Sequence, residues 1–202
     1  MKNLILIFGI FITVTAASQD YSKLQQAFKT SYEYENEGQY TKAIDAIKSV
    51  YDQESYEVNI RLGWLHYYAG LFTESVTYYQ NCFNLKPYSI EARLGIVLPL
   101  AAVGNWKQVI NHYNEILKID SENYTANYRL GSIYYGSENF TLAYKYFEKL
   151  ANQYPFDYDA THMYAWTNYK LGKFREAKVL FNKTLLIKSD DESATQGLEL
   201  IK

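Results

Sequence analysis

The sequence predicts an all-α fold, an α-solenoid of stacked helix–turn–helix units closed by a C-terminal capping helix. Three observations predict it. Columns of like residues recur every 34 positions through most of the 202-residue chain. Within each period the apolar residues fall on single helix faces. Glycine and proline number only 10 and 3, too few for the turns of an all-β chain.

The chain opens on a segment that does not share this pattern. Lys2 gives a positive start, Leu4 to Val14 form an apolar run of 11 residues, and Thr15, Ala16, Ala17 and Ser18 are small. This is the layout of a secretory signal peptide over residues 1–18. Ala16 and Ser18 fill the small-residue slots of a cleavage site and place the cut before Gln19, with the bond after Ala17 as the alternative. A membrane-spanning helix needs about 20 apolar residues, so an uncleaved anchor is the weaker reading. The expected location is the periplasm or cell envelope, with membrane contact only through this segment if it is retained. Cys82 is the single cysteine, which excludes an intramolecular disulfide, and its apolar surroundings (Tyr78 to Leu85) mark it as a buried small hydrophobe.

Residues 19–202 form the solenoid. Phe72, Trp106, Phe140 and Phe174 are 34 apart, and so are Tyr79, Tyr113, Phe147 and Phe181. Small residues keep the same interval at Gly63, Val97, Gly131 and Ala165, and at Ser75, Val109, Ala143 and Ala177. Gly70, Gly104 and Gly172 mark the turns, and Pro87, Ser121, Pro155 and Ser189 close the units. An upstream unit with Ser31, Gly38, Tyr40 and Ala43 runs two residues out of phase, the deletion falling near Asp52 to Tyr56. The units are therefore about 24–55, 56–89, 90–123, 124–157 and 158–191. In the fourth, helices are expected from Thr125 to Ser137 and from about Thr141, with Gly131 and Ala143 letting the two approach and Pro155 ending the second. In the third, Pro99 lies inside the first helix and predicts a bend or a shortened helix. Ala194, Leu198 and Ile201 share one face, so 192–202 is expected to be a helix that caps the open end.

The 34-residue period, the small–large–small columns and the pairs Leu62-Gly63 and Leu130-Gly131 resemble the tetratricopeptide repeat family. Units two, four and five resemble it most. Unit one has Thr30-Ser31 in place of Leu-Gly, and unit three has Val97 in place of glycine. The resemblance implies a groove lined by the first helix of each unit, which binds a partner. On that projection the inward residues are Phe28, Tyr32 and Glu35; Ile60, Trp64 and Tyr67; Leu94, Leu98 and Ala101; Tyr128, Ser132 and Tyr135; and His162, Trp166 and Tyr169. The partner-binding set drawn from them is Phe28, Tyr32, Trp64, Tyr67, Tyr128, Tyr135, His162, Trp166 and Tyr169. The groove so read is aromatic and nearly uncharged. The Lys, Arg and Asn side chains with which some family members clamp a peptide carboxylate are absent from its slots.

Composition narrows the function further. A net charge of -2 with no basic cluster argues against a nucleic-acid partner. His66, His112 and His162 lie in separate units, and no phosphate loop, nucleophile elbow or metal-ligand spacing accompanies them. No enzyme activity, metal or cofactor is expected. Two classes remain: a non-catalytic scaffold or adaptor holding a protein or peptide segment, and a binding module for a glycan or other small apolar ligand. Asn36, Asn127 and Asn168, read as partners for a peptide backbone, favour the adaptor. The oligomeric state is not readable from the sequence.

Overall fold

The computed structural model describes residues 21–201, so the signal segment at 1–18 lies outside the described residues. These residues form eleven helices and no strand. The chain divides into two compact units, Met1–Val50 and Tyr51–Lys202. The first contains α1 (Tyr21–Asn36) and α2 (Tyr40–Lys48), packed as a pair. The second contains α3 (Tyr56–Tyr68), α4 (Phe72–Leu85), α5 (Ile90–Ala102), α6 (Trp106–Ile119), α7 (Tyr124–Gly136), α8 (Phe140–Gln153), α9 (Tyr158–Lys170), α10 (Phe174–Ile187) and α11 (Glu192–Glu199). Each helix there packs on the next, as stacked helix pairs must to bury their apolar stripes. The division falls where the period slips by two residues. There α2 has 9 residues against 14 in each of its counterparts α4, α6, α8 and α10.

The turn inside each repeat requires one residue in the left-handed region. Gly38, Gly70, Gly104 and Gly172 fill it at φ of 72° to 75°, but in the fourth repeat the position holds Glu138 at φ 59°. A side chain there costs about 1–2 kcal/mol. Glu138→Gly is therefore expected to raise thermal stability by about 1 kcal/mol, and an unchanged or lower melting temperature would contradict this.

The core follows the predicted columns, with one change of meaning. Phe147 and Phe181 are fully buried and Tyr79 nearly so. The glycine at 131 serves the Phe147 ring: a Cβ on Gly131 would lie 2.8 Å from Phe147 Cζ. Gly63 similarly underlies Tyr79 at 3.0 Å. Small residues here make room for an aromatic ring of the next helix, where the sequence reading had two backbones approaching. Cys82 is fully buried, and burial pushes its thiol up to about 12. Pro99 does not shorten α5, which keeps the 13 residues of α3, α7 and α9. The carbonyl that a proline ring crowds belongs to the residue four earlier. Here that residue is Gly95, with the widest backbone latitude.

A hydrogen-bonded ladder ties repeat to repeat. Ser55, Ser89, Asn123, Asp157 and Asp191 cap the first helix of successive units by accepting from the backbone N–H three residues on. In three cases the cap is held from behind by a tyrosine of the preceding unit. The Tyr56 hydroxyl bonds Ser89 Oγ at 2.7 Å, Tyr124 donates to Asp157 Oδ1 at 2.7 Å, and Tyr158 donates to Asp191 Oδ2. The third unit has Ile90 at this position and no hydroxyl to offer Asn123. Six of the 22 tyrosines serve this ladder and the turn packing described next.

Candidate partner-binding site

Phe28 and Tyr32 lie on α1 of the first compact unit, with ring centroids 6.4 Å apart. The remaining predicted site residues lie in the second. Tyr67, Tyr135 and Tyr169 occupy one column, and each packs on the aromatic that opens the following helix. The ring separations are 6.0 Å to Phe72, 5.3 Å to Phe140 and 5.5 Å to Phe174. Their first task is thus to brace the turn inside their own repeat. Trp64 is half-buried with Tyr68 4.6 Å away. Tyr128 stacks on Tyr124 and meets Phe147 edge-on.

Trp64 and Trp166 share a repeat position but not an environment. The Trp166 indole N–H donates to Ser193 Oγ at 2.9 Å and to His162 Nε2 at 3.2 Å, and its ring meets Phe181 edge-on. His162 is stacked on Tyr158. Burial pushes its imidazole below the usual range, against the pull of Asp191 and Asp159. A neutral ring accepting the indole proton at Nε2 fits that direction. Both residues are therefore committed to docking α11. Ser193, His162 and Asp191 do not form a nucleophile–base–orienter chain, because Ser193 and Asp191 both face Nε2, at 2.9 and 3.9 Å. A working triad needs the carboxylate on the other nitrogen.

Two of the three asparagines, Asn127 and Asn168, are placed differently from expectation, whereas Asn36 is exposed. Asn127 is buried and donates to Ser121 O and Asn123 O, locking the loop before α7, as Asn59 does before α3. Asn168 is buried and donates to Tyr164 O. Neither faces a groove. Both sit on the apolar side of their helix, where an amide closes a backbone donor–acceptor gap.

The open feature is a cleft of about 750 Å³ between the third and fourth repeats. Its floor is the buried Val97, Val109 and Tyr113. Its walls are Leu98, Ala101, Trp106, Ile110 and Ile133, and its rim is Arg129, Ser132, Gly136 and Ser137. It exists because unit three lacks what closes the others. Ala101 stands in the column of Tyr67, Tyr135 and Tyr169, so no tyrosine of its own unit packs on Trp106, which is 52% exposed, much as Phe174 is at 49%. A Cβ at Gly136 would meet nothing within 4 Å. Within 51–202 the α6–α7 packing is the sparsest between consecutive helices. Val103, 60% exposed, extends the apolar surface in the turn just before Trp106. Of the sequence-predicted inward residues the cleft gathers Leu98, Ala101 and Ser132, none of them in the aromatic set. Among the described residues no group of three or more His, Cys, Asp or Glu side chains is placed to hold a metal ion.

Residues 125–157, the fourth unit, match the family described as Tetratricopeptide repeat. The chain carries tetratricopeptide repeats. The solved structures similar to this tetratricopeptide solenoid share its fold. One is a tetratricopeptide repeat protein from Parabacteroides merdae ATCC 43184, with TM-score 0.75, 18% identity, and 89% of this chain and 72% of that one covered. A MamA protein aligns with TM-score 0.71 and 19% identity over 84% of this chain and 93% of that one. MamA 41-end from Desulfovibrio magneticus RS-1 aligns with TM-score 0.69 and 16% identity, over 84% and 97%. By sequence, no curated protein matches the chain.

Proposed function

We propose that this tetratricopeptide protein is a non-catalytic interaction scaffold, exported to the cell envelope, which holds a segment of a protein partner against the first-helix side of its repeats. The observation that carries the reading is the cleft between units three and four. It is apolar, open along one side, and contiguous with the predicted inward residues Leu98 and Ala101. Apolar clefts with a few polar rim groups are the usual form of a binding site, and an uncovered tryptophan beside such a cleft is a typical interface anchor. Export rests on the charged start, apolar run and small-residue junction of residues 1–18. Among the described residues no helix is long and apolar enough to cross a membrane. The glycan reading lacks a flat ring free to stack at Trp166, since that indole is held against α11.

A photo-crosslinking residue at Ala101 is expected to capture a partner in the envelope fraction, and the chain that carries the crosslinker should begin near Gln19. The control is the same residue at Val179, exposed on α10. Crosslinking from Val179 with none from Ala101 would place the working surface elsewhere. A chain still beginning at Met1 would return the anchor reading.

A further inference from the structure

We propose that the outer face of α10 docks on an anionic lipid surface, with Val179 and Leu186 entering the bilayer boundary and Arg175, Lys178 and Lys183 meeting the headgroup phosphates. This surface is separate from the groove. The helix turns Ala177, Phe181 and Thr184 into the core, and Val179 and Leu186 lie on its opposite side.

The 34-residue period shows what is unusual there. Val179 and Leu186 are seven residues apart and share one face of the helix. In α4, α6 and α8 the same two columns hold Thr77 and Asn84, Asn111 and Lys118, and Lys145 and Asn152, every one polar and exposed. In α10 both are aliphatic. They are 64% and 77% exposed, the most exposed Val, Leu or Ile side chains among the described residues. A single exposed aliphatic residue needs no explanation. Two on one face, where the other units keep polar residues, mark a surface that is covered in use.

The charge around the pair says what covers it. From Lys173 to Lys188 the chain carries five cations and one acid, Glu176, against a net charge of -2 for the whole sequence. They stand two to five residues apart and form no run, so only the helix gathers them. Lys173 is held over the Tyr144 ring at 3.7 Å, and Lys188 lies 3.4 Å from Asp191 Oδ2. Arg175, Lys178 and Lys183 make no ion pair among the described residues. Arg175 and Lys183 stand one turn before and one turn after Val179. Long basic side chains around a small apolar patch suit the edge of a bilayer, where their stems lie along the apolar boundary and their charges reach phosphate. A nucleic acid would leave the aliphatic pair in water. A peptide anchor needs a pocket, and the depression beside Val179, about 370 Å³ and lined by Tyr164, Arg175, Glu176 and Leu180, lies open on the surface. Two aliphatic residues bury little area, so binding needs the charges as well and is sensitive to salt.

The test is co-sedimentation of the chain beginning at Gln19, without the apolar leader, with vesicles of phosphatidylglycerol and phosphatidylethanolamine. Vesicles of phosphatidylcholine alone are the neutral comparison. The expected result is binding to the anionic vesicles only, lost in about 1 M salt, where screening acts within about 3 Å. Val179→Asn with Leu186→Asn, the amide that other units carry in these columns, is expected to weaken it about tenfold or more. Arg175→Gln with Lys178→Gln and Lys183→Gln is expected to weaken it about a hundredfold. None of the five side chains is buried, and circular dichroism checks that each variant keeps its helices. Absence of binding to the anionic vesicles overturns the proposal. So does binding that the two asparagines leave unchanged, which is charge attraction alone. Duplex DNA held as tightly as the vesicles and released by the glutamine variant would assign the face to nucleic acid. A dimer that becomes a monomer with Val179→Asn and Leu186→Asn would assign it to a second copy. Either result overturns the membrane reading, as does a protein captured from Val179 in the crosslinking experiment above. The groove reading is decided separately, at Ala101.

Discussion

Replacing Gly131 with leucine is expected to loosen units four and five before the rest of the 51–202 unit. The alanine Cβ alone would lie 2.8 Å from the ring of Phe147, which is fully buried and packed among Ala143, Leu150 and Ala160. The ring has nowhere to go, and overpacking of this kind costs about 1–3 kcal/mol. Repeat proteins distribute stability as local terms plus nearest-neighbour interfaces, so the loss stays near its origin. Hydrogen exchange should show lost protection in α7 to α10 while α3 and α4 keep theirs. An even loss across α3 to α10 would contradict it. Gly136, five residues on in the same helix, is the control. With open space at its Cβ, Gly136→Ala should stabilise by up to about 1 kcal/mol.

Asp191→Ala is expected to undock α11. Asp191 is 3% exposed and accepts from the Ala194 N–H at 2.7 Å and from the Tyr158 hydroxyl, with Lys188 close by. Losing a cap costs about 0.5–2 kcal/mol, and losing the charged acceptor of Tyr158 about 1.5–3 kcal/mol. Amides 194–198 should then exchange as if unfolded, and the Trp166 indole should lose its Ser193 partner. Burial alone would raise the Asp191 pKa. The Tyr158 hydroxyl, the Ala194 N–H and Lys188 outweigh burial and hold it below the usual carboxylate range. A carboxyl whose folded pKa is depressed stabilises the fold above its unfolded pKa. That contribution fades as pH falls through the lower, folded value. The stability gap between wild type and Asp191→Asn should therefore be full at neutral pH and shrink only in strong acid. A gap that is constant down to the acid transition would remove the charge from the account.

The repeat architecture was legible because burial repeats with it. The columns at Tyr79, Tyr113, Phe147 and Phe181, and the small residues beneath them, are what a stacked core demands of a sequence. The Tyr56, Tyr124 and Tyr158 ladder was equally periodic, with each cap 33 residues ahead, but a polar pair across repeats leaves no apolar signal to follow. The binding site was harder for a different reason. Aromatic residues at inward positions mark a groove only if nothing else claims them. Tyr67, Tyr135 and Tyr169 are claimed by their own turns, and Trp166 by Ser193, a residue of the cap. The cleft arises from what unit three lacks at Ala101, and a missing side chain reads in sequence as a weaker repeat. At Pro99 the shortened helix, one of the two outcomes expected, is not found, since α5 keeps the length of its counterparts.

The broken rung at Ile90 has a mechanical meaning. Where Tyr56, Tyr124 and Tyr158 bolt one unit to the next, the third unit meets the fourth without that rung, and the cleft opens toward the other end of the same helices. The joint between α6 and α7 is held instead by apolar packing, with Ala126 and Leu130 in one core with Tyr113 and Ile116. A segment wedged into that joint would act as a splint. It would touch α5, α6 and α7 at once, so that holding a partner and tying the third unit to the fourth become a single event.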